Sequence, residues 1–186
     1  TTVPMGHEVA VNALQLAQAV SVVANGGLLV QPRIVKAVLD PSGQIVYKME
    51  PKVVRRVISQ TVAAQLKEIL AGVVEEGTGK LAAVPGFRAA GKTGTAQKIE
   101  PGGGYSHTRF VASFVGFVPA DQPRLPLVVV VDEPKGMFYG GVVAAPIFSR
   151  VASNTLAYLG EGPAHPEVSL AQGLAGKVQQ VGLRRR

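Results

Sequence analysis

The sequence predicts an α+β fold, an antiparallel sheet flanked by helices, and three observations predict it. Two segments with apolar residues at helical spacing each begin on a capping side chain and end on glycine. Three strand-like runs then follow one another with only turn material between them. A closing helix comes after the last strand, so the strand–helix–strand alternation that builds a parallel sheet is missing. The 186 residues suit one domain, or one large piece of a domain. With 47% apolar and 17% charged residues, the chain is long and apolar enough for a real core and is not generally disordered.

The first helix is expected in "NALQLAQAVSVVANGG", where the Asn12 side chain can accept from free N–H groups of the first turn. Leu16, Val20 and Val23 form its apolar stripe, and Asn25-Gly26-Gly27 stops it. "RIVKAVLD" and "QIVYKM" read as a β-hairpin with Asp40-Pro41-Ser42-Gly43 at its tip. The second helix, "SQTVAAQLKEILAGVVEEG", starts at Ser59 and ends at Gly77, with Val62, Leu66, Ile69 and Val73 as the expected buried stripe. "FRAAGKTGTAQKI", "TRFVASFVGFVP" and "RLPLVVVVDEP" are the three strands, joined by "EPGGGYSH" and "ADQP". "AAPIFSRVASNTLAYLG" closes the domain, with Gly160 as its stop. The chain thus divides into residues 1–160, the folded part, and 161–186, expected to be a loosely ordered basic tail.

Composition narrows the chemistry. Without cysteine, disulfides, thiolate nucleophiles and sulfur metal sites are excluded. His7, His107 and His165 have no ligand spacing, so no metal and no cofactor is expected. The net charge of +7 could suit an anionic partner, but aromatics are 5% and no basic–aromatic interleaving suggests nucleic acid. Arg55-Arg56 and Arg184 to Arg186 read as surface charge, and Asp121 between prolines as turn chemistry. Asp132-Glu133 could be paired carboxylates for acid–base work, but beside Pro134 they read as a solvated strand end. The longest apolar run, "LVVVV", is far short of the ~20 residues that span a bilayer. The first residue is Thr1 rather than methionine, so an upstream portion, including any membrane anchor, is expected.

"GFRAAGKTGTAQK" supports two chemistries. From Gly86 it spells the phosphate-binding G-x-x-x-x-G-K-T, and "LVVVVDE" resembles the acidic strand that holds magnesium in nucleotide hydrolases. That motif needs a helix beginning at the lysine, and Gly94 followed by Pro101-Gly102-Gly103-Gly104 leaves no room for one. Read as a strand, the segment puts Thr93, Thr95 and Gln97 on one face and Lys92, Gly94 and Ala96 on the other. Two hydroxyls so spaced can bind both oxygens of a carboxylate, and the lysine adds positive charge. The bare Gly94 and the strand amides leave room for a substrate and an oxyanion.

The order of "VNALQLAQAVSVVANGG", "VVEEGTGKLAAVPGFRAAGKTGTAQK", "RFVASFVGFVPAD" and "YGGVVAAPIFSRVASNTLAYL" resembles the class B penicillin-binding proteins, most of all the division-type transpeptidases. The resemblance runs from about Val3 to Leu159. It implies the penicillin-binding, serine β-lactamase-like transpeptidase fold and a serine acyl-transferase that cross-links peptidoglycan stem peptides at D-alanyl-D-alanine, with β-lactams as suicide substrates. By that resemblance, Lys92, Thr93, Gly94 and Thr95 are the third motif of the family. Thr93 and Thr95 would hold the terminal carboxylate, the Thr95 N–H would be half of the oxyanion hole, and Lys92 would set the field around the serine groups. Tyr139, Gly140 and Gly141 match a segment bordering the cleft. The resemblance also implies division-machinery membrane proteins as partners. It places the protein on the extracytoplasmic face of the bacterial cytoplasmic membrane, held by an N-terminal helix that is not in this chain.

The departure is that neither S-x-x-K nor S-x-N occurs: Ser113, Ser149 and Ser153 are followed three residues on by Gly116, Ala152 and Leu156. In relatives both motifs lie upstream of the first helix seen here. The chain is therefore expected to be the C-terminal part of a transpeptidase domain, inactive by itself, with an unpaired sheet edge, poor solubility or a partner chain. The alternatives are a non-catalytic wall-binding relative and, remotely, the nucleotide hydrolase.

Overall fold

The computed structural model describes residues 9–162; most of the proposed tail, 163–186, lies outside the described residues. Helix α1, Ala13–Ala24, is capped by Asn12, whose side chain accepts from the Gln15 N–H while the Gln15 side chain bonds back to the Asn12 N–H. It ends at Asn25, and the chain leaves through Gly26 and Gly27 at φ 80° and 97°, values that favour glycine. Short strands follow: β1 Leu28–Val30, β2 Ala37–Leu39, β3 Ile45–Lys48 and β4 Val53–Arg56. The predicted hairpin is β2–β3, turned by Asp40, whose carboxylate accepts from Ser42 and Gln44 N–H groups at 2.9 Å. The β1–β4 ribbon was not foreseen, because three- and four-residue strands carry almost no periodic signal.

Helix α2, Gln60–Glu75, is capped by Ser59, as expected. Its buried face is not the expected one. Ala63, Ala71 and Val74 are buried, whereas Val62 and Ile69 are exposed. Two adjacent stripes on this helix both have helical spacing. The alanine stripe wins because small side chains let the helix sit close to the sheet, and Arg88 holds Glu68 and Glu75 at 2.9 and 2.7 Å, which sets the rotation.

The three predicted strands form one antiparallel sheet in the order β5-β6-β7: β5 Ala90–Ile99, β6 Tyr105–Val118 and β7 Leu125–Asp132. Helix α3, Gly140–Val143, and helix α4, Ala145–Tyr158, follow. Helices α1 and α2 lie on one face of this sheet, around Phe117, Ala90 and Val115. Helix α4 lies on the other, where Phe148 meets Phe114 at 4.7 Å between ring centres and Leu156 and Val118 complete a fully buried cluster. Each such ring contributes about 2–3 kcal/mol by leaving water. Gly91 exists for this ring: a Cβ there would stand 2.6 Å from Phe114. Beyond α4, Glu161 is tied back by Arg124 at 2.7 Å.

Candidate functional site

Lys92 to Thr95 lie in the first half of β5, an edge strand that pairs with β6 alone among the described residues. Thr93 stands opposite Phe114, Gly94 opposite Ser113 and Thr95 opposite Ala112. The pleat therefore turns Thr93 and Thr95 toward the α3–α4 side. There they border a cleft of about 370 Å³ together with Thr78, Tyr139, Gly140 and Gly141. All the residues singled out from the sequence are thus within one strand and one helix start, although 44 positions separate Thr95 from Tyr139 in the chain.

Hydrogen bonds give these hydroxyls a direction. The Gly140 N–H donates to Thr95 Oγ1 at 3.0 Å, taking up one lone pair and leaving the Thr95 hydroxyl proton for another acceptor. Lys92 starts on the opposite face and its Nζ reaches the Thr93 carbonyl at 3.0 Å and Thr93 Oγ1 at 3.3 Å. Thr93 Oγ1 is also 3.0 Å from Thr78 Oγ1. The cleft is therefore lined by the hydroxyls of Thr78, Thr93, Thr95 and Tyr139 and by Lys80, with the Lys92 ammonium reaching Thr93 beside it and no carboxylate in the lining. That is a donor set for an anion.

The glycines are where backbones touch. A Cβ on Gly140 would lie 2.3 Å from the carbonyls of Gly94 and Ser113, and one on Gly141 2.3 Å from the Thr78 carbonyl. Gly94 also has a packing task that its sequence context does not suggest. A Cβ there would strike Ser113 Oγ on the paired strand, so the bare glycine makes room for that side chain. Thr78 was missed by sequence reasoning. It sits just past α2 between Gly77 and Gly79, and the Gly79 N–H returns to the Val73 carbonyl at 2.9 Å. A threonine between two glycines after a helix stop was the available signal.

Asp132 and Glu133 stand at the solvated end of β7, as expected, and Lys98 on β5 bonds both there, at 3.0 and 2.8 Å. Glu133, then Asp132, raises the Lys98 ammonium above its ordinary pKa by stabilising its charge. The phosphate-loop reading fails outright. Lys92 is inside a ten-residue strand, no helix starts there, and the acidic strand β7 neighbours β6 rather than β5.

No helix among the described residues is long and apolar enough to cross a membrane. The model of the penicillin-binding protein transpeptidase domain matches residues 1–153. Stage V sporulation protein D of Bacillus subtilis is 43% identical over 164 residues, covering 87% of this chain and 25% of that protein. The probable peptidoglycan D,D-transpeptidase PenA of Neisseria flavescens is 37% identical, covering 89% of this chain and 39% of that one. The chain therefore spans a quarter to two fifths of these curated relatives. Among solved structures, the transpeptidase domain of Burkholderia pseudomallei penicillin-binding protein 3 aligns with a TM-score of 0.73 at 39% identity, over 87% of this chain and 46% of that one. Penicillin-binding protein 3 of Mycobacterium tuberculosis, complexed with ampicillin, aligns with a TM-score of 0.76 at 33% identity, over 88% of this chain and 38% of that one. With its sheet, its helices and the order of its motifs in agreement, the chain belongs to the class B penicillin-binding protein transpeptidase family.

Proposed function

We propose that the chain supplies the carboxylate-binding and oxyanion side of a peptidoglycan D,D-transpeptidase, the serine nucleophile coming from sequence outside these 186 residues. One observation carries the reading: Thr93 and Thr95 face a single cleft from an edge strand, beside the Lys92 ammonium. A substrate ending in a carboxylate, the D-alanyl-D-alanine terminus of a stem peptide or the carboxylate of a β-lactam, finds two hydroxyl donors and a cation there. The backbone N–H of Thr95 is the oxyanion donor, since an edge strand leaves amides available to a chain lying alongside. Lys92 raises the local positive potential, which favours the developing negative charge. Tyr139, Gly140 and Gly141 form the opposite wall, and Gly140 orients Thr95. The whole enzyme works outside the cytoplasmic membrane on the cell wall, with division or shape-determining proteins as partners.

Acylation tests this. Intact-mass measurement after incubation with ampicillin is expected to show no covalent adduct on this chain, which has no S-x-x-K serine. Reading the gene upstream of the Thr1 codon is expected to reveal S-x-x-K and then S-x-N in frame. In a protein carrying those motifs, ampicillin is expected to add one molecule. The second-order acylation rate should fall about 10²-fold or more in Thr95→Val or Lys92→Ala. An adduct on the 186-residue chain, or a rate indifferent to both substitutions, would sink the assignment.

A further inference from the structure

The ribbons β1–β4 and β2–β3 stand apart from the catalytic-side cleft and none of their residues lines it. No residue from 28 to 58 is buried. Ile45, Val46 and Tyr47 in β3 are 60, 67 and 59% exposed, and Val38 and Leu39 opposite them are 48 and 57%. A two-stranded ribbon is marginal in water without something against its apolar face. Both ribbons also have outer edges without a strand partner among the described residues, so backbone donors and acceptors are left to solvent.

Charge says what would cover this region. Residues 28–58 carry Arg33, Lys36, Lys48, Lys52, Arg55 and Arg56 against Asp40 and Glu50 alone. Glu50 is taken by Lys48 at 2.8 Å. Arg56 bonds the carbonyls of Gly26 and Ile58, and Arg33 bonds that of Met49. Lys36, Lys52 and Arg55 make no ion pair among the described residues. Lys52 and Arg33, with Gln31 and the Lys48-paired Glu50, flank a small cavity of about 180 Å³ whose apolar side is Tyr47, Met49 and Pro32.

We infer that the β2–β3 ribbon is a docking surface for an extended acidic polypeptide, which adds a strand to it and sets carboxylates against Lys36 and Lys52, with Arg55 on the separate strand β4 adding to the positive field. The competing occupants each fail one feature. A second copy would bring the same excess of cations face to face. A bilayer cannot satisfy the free strand edge. A polyanion without apolar groups would leave Ile45, Val46 and Tyr47 in water. An acidic strand meets all three demands, through main-chain hydrogen bonds, apolar contact and charge.

The test uses the 186-residue chain and a fluorescein-labelled eight-residue peptide of alternating Glu and Val. A Lys–Val peptide of the same length is the control, and both are followed by fluorescence anisotropy. The acidic peptide is expected to bind about tenfold or more tightly than the basic one, and to weaken severalfold between roughly 50 and 300 mM salt. The triple variant Lys36→Glu, Lys52→Glu, Arg55→Glu, at exposed positions that the fold does not use, is expected to lose about tenfold in affinity. Hydrogen exchange should show new protection of β2 or β3 amides with the peptide bound. Equal binding of both peptides, no effect of the triple variant, or protection confined to the β5 edge would overturn the proposal. So would binding to vesicles containing phosphatidylglycerol in place of the peptide, or a concentration-dependent dimer that exposes no change on adding it.

Discussion

Residues 28–58 and residues 87–132 are both antiparallel strands rich in aliphatic and aromatic side chains, yet only the second region is buried. In β6, Phe114, Phe117 and Val118 are fully buried between α4 on one side and α1 and α2 on the other. In β3, Ile45, Val46 and Tyr47 stay in water although they are as apolar in sequence. Hydrophobicity makes a strand eligible for burial, and the neighbouring helices decide whether it is buried. The sheet β5–β7 has helices on both faces, whereas β1 meets only α1 and the β2–β3 hairpin stands exposed. The same difference separates a packed platform, which holds Thr93 and Thr95 in register, from a surface left exposed.

The sharpest way to break the comparison is to cut the platform. Phe114→Ala removes the ring that Gly91 and Gly116 leave space for, and is expected to cost about 3–5 kcal/mol in urea denaturation. A loss below about 1 kcal/mol would mean the sheet face is as loose as the ribbons.

Next is the Arg88 junction, which joins the base of β5 to α2 and to Asp121. Arg88→Ala leaves Glu68, Glu75 and Asp121 without their cation and should cost about 1–2 kcal/mol. The junction has a pH signature. The hydrogen bond from Arg88, and then its charge, hold the Glu68 carboxyl below its ordinary pKa. Glu100 is held low in the same way, first by Ser106 and then by Arg109. A carboxyl with a depressed folded pKa contributes stability above its unfolded value, about 4, and that contribution disappears as pH falls through the folded value. Thermal midpoints between about pH 2 and 6 should therefore fall with acidification. The Arg88→Ala variant should show a shallower fall.

A smaller effect is expected at the first helix. Asn12→Ala removes the reciprocal cap with Gln15 and should cost about 1 kcal/mol, read as a lowered denaturation midpoint with an unchanged m-value. The smallest is in the ribbon. Val46→Thr, on an exposed strand position, should shift stability by less than about 0.5 kcal/mol. A large loss there would mean that the ribbon is covered in solution and that the contrast between the two regions is false.

Local chemistry was enough for much of this fold. Asn12 and Ser59 named the helix starts, Gly27 and Gly160 the ends, and Asp40 to Gly43 the hairpin tip, because caps and turns depend on a few neighbouring residues. The resemblance carried by the ordered segments identified the family, and Thr93 and Thr95 of the K-T-G-T strand do line a cleft. What local chemistry could not supply is anything that depends on what lies across a gap. The rotation of α2 hinged on Arg88, thirteen residues beyond Glu75. Thr78 joined the site through a hydroxyl contact with Thr93, fifteen positions away. Gly94 stands against Ser113 on the neighbouring strand, and Asp132 and Glu133 meet Lys98 across the sheet. Sequence alone determined which segments could be helices and strands and which motif could bind an anion. Tertiary structure decided which faces meet, because burial and ion pairing belong to pairs of surfaces and not to single segments.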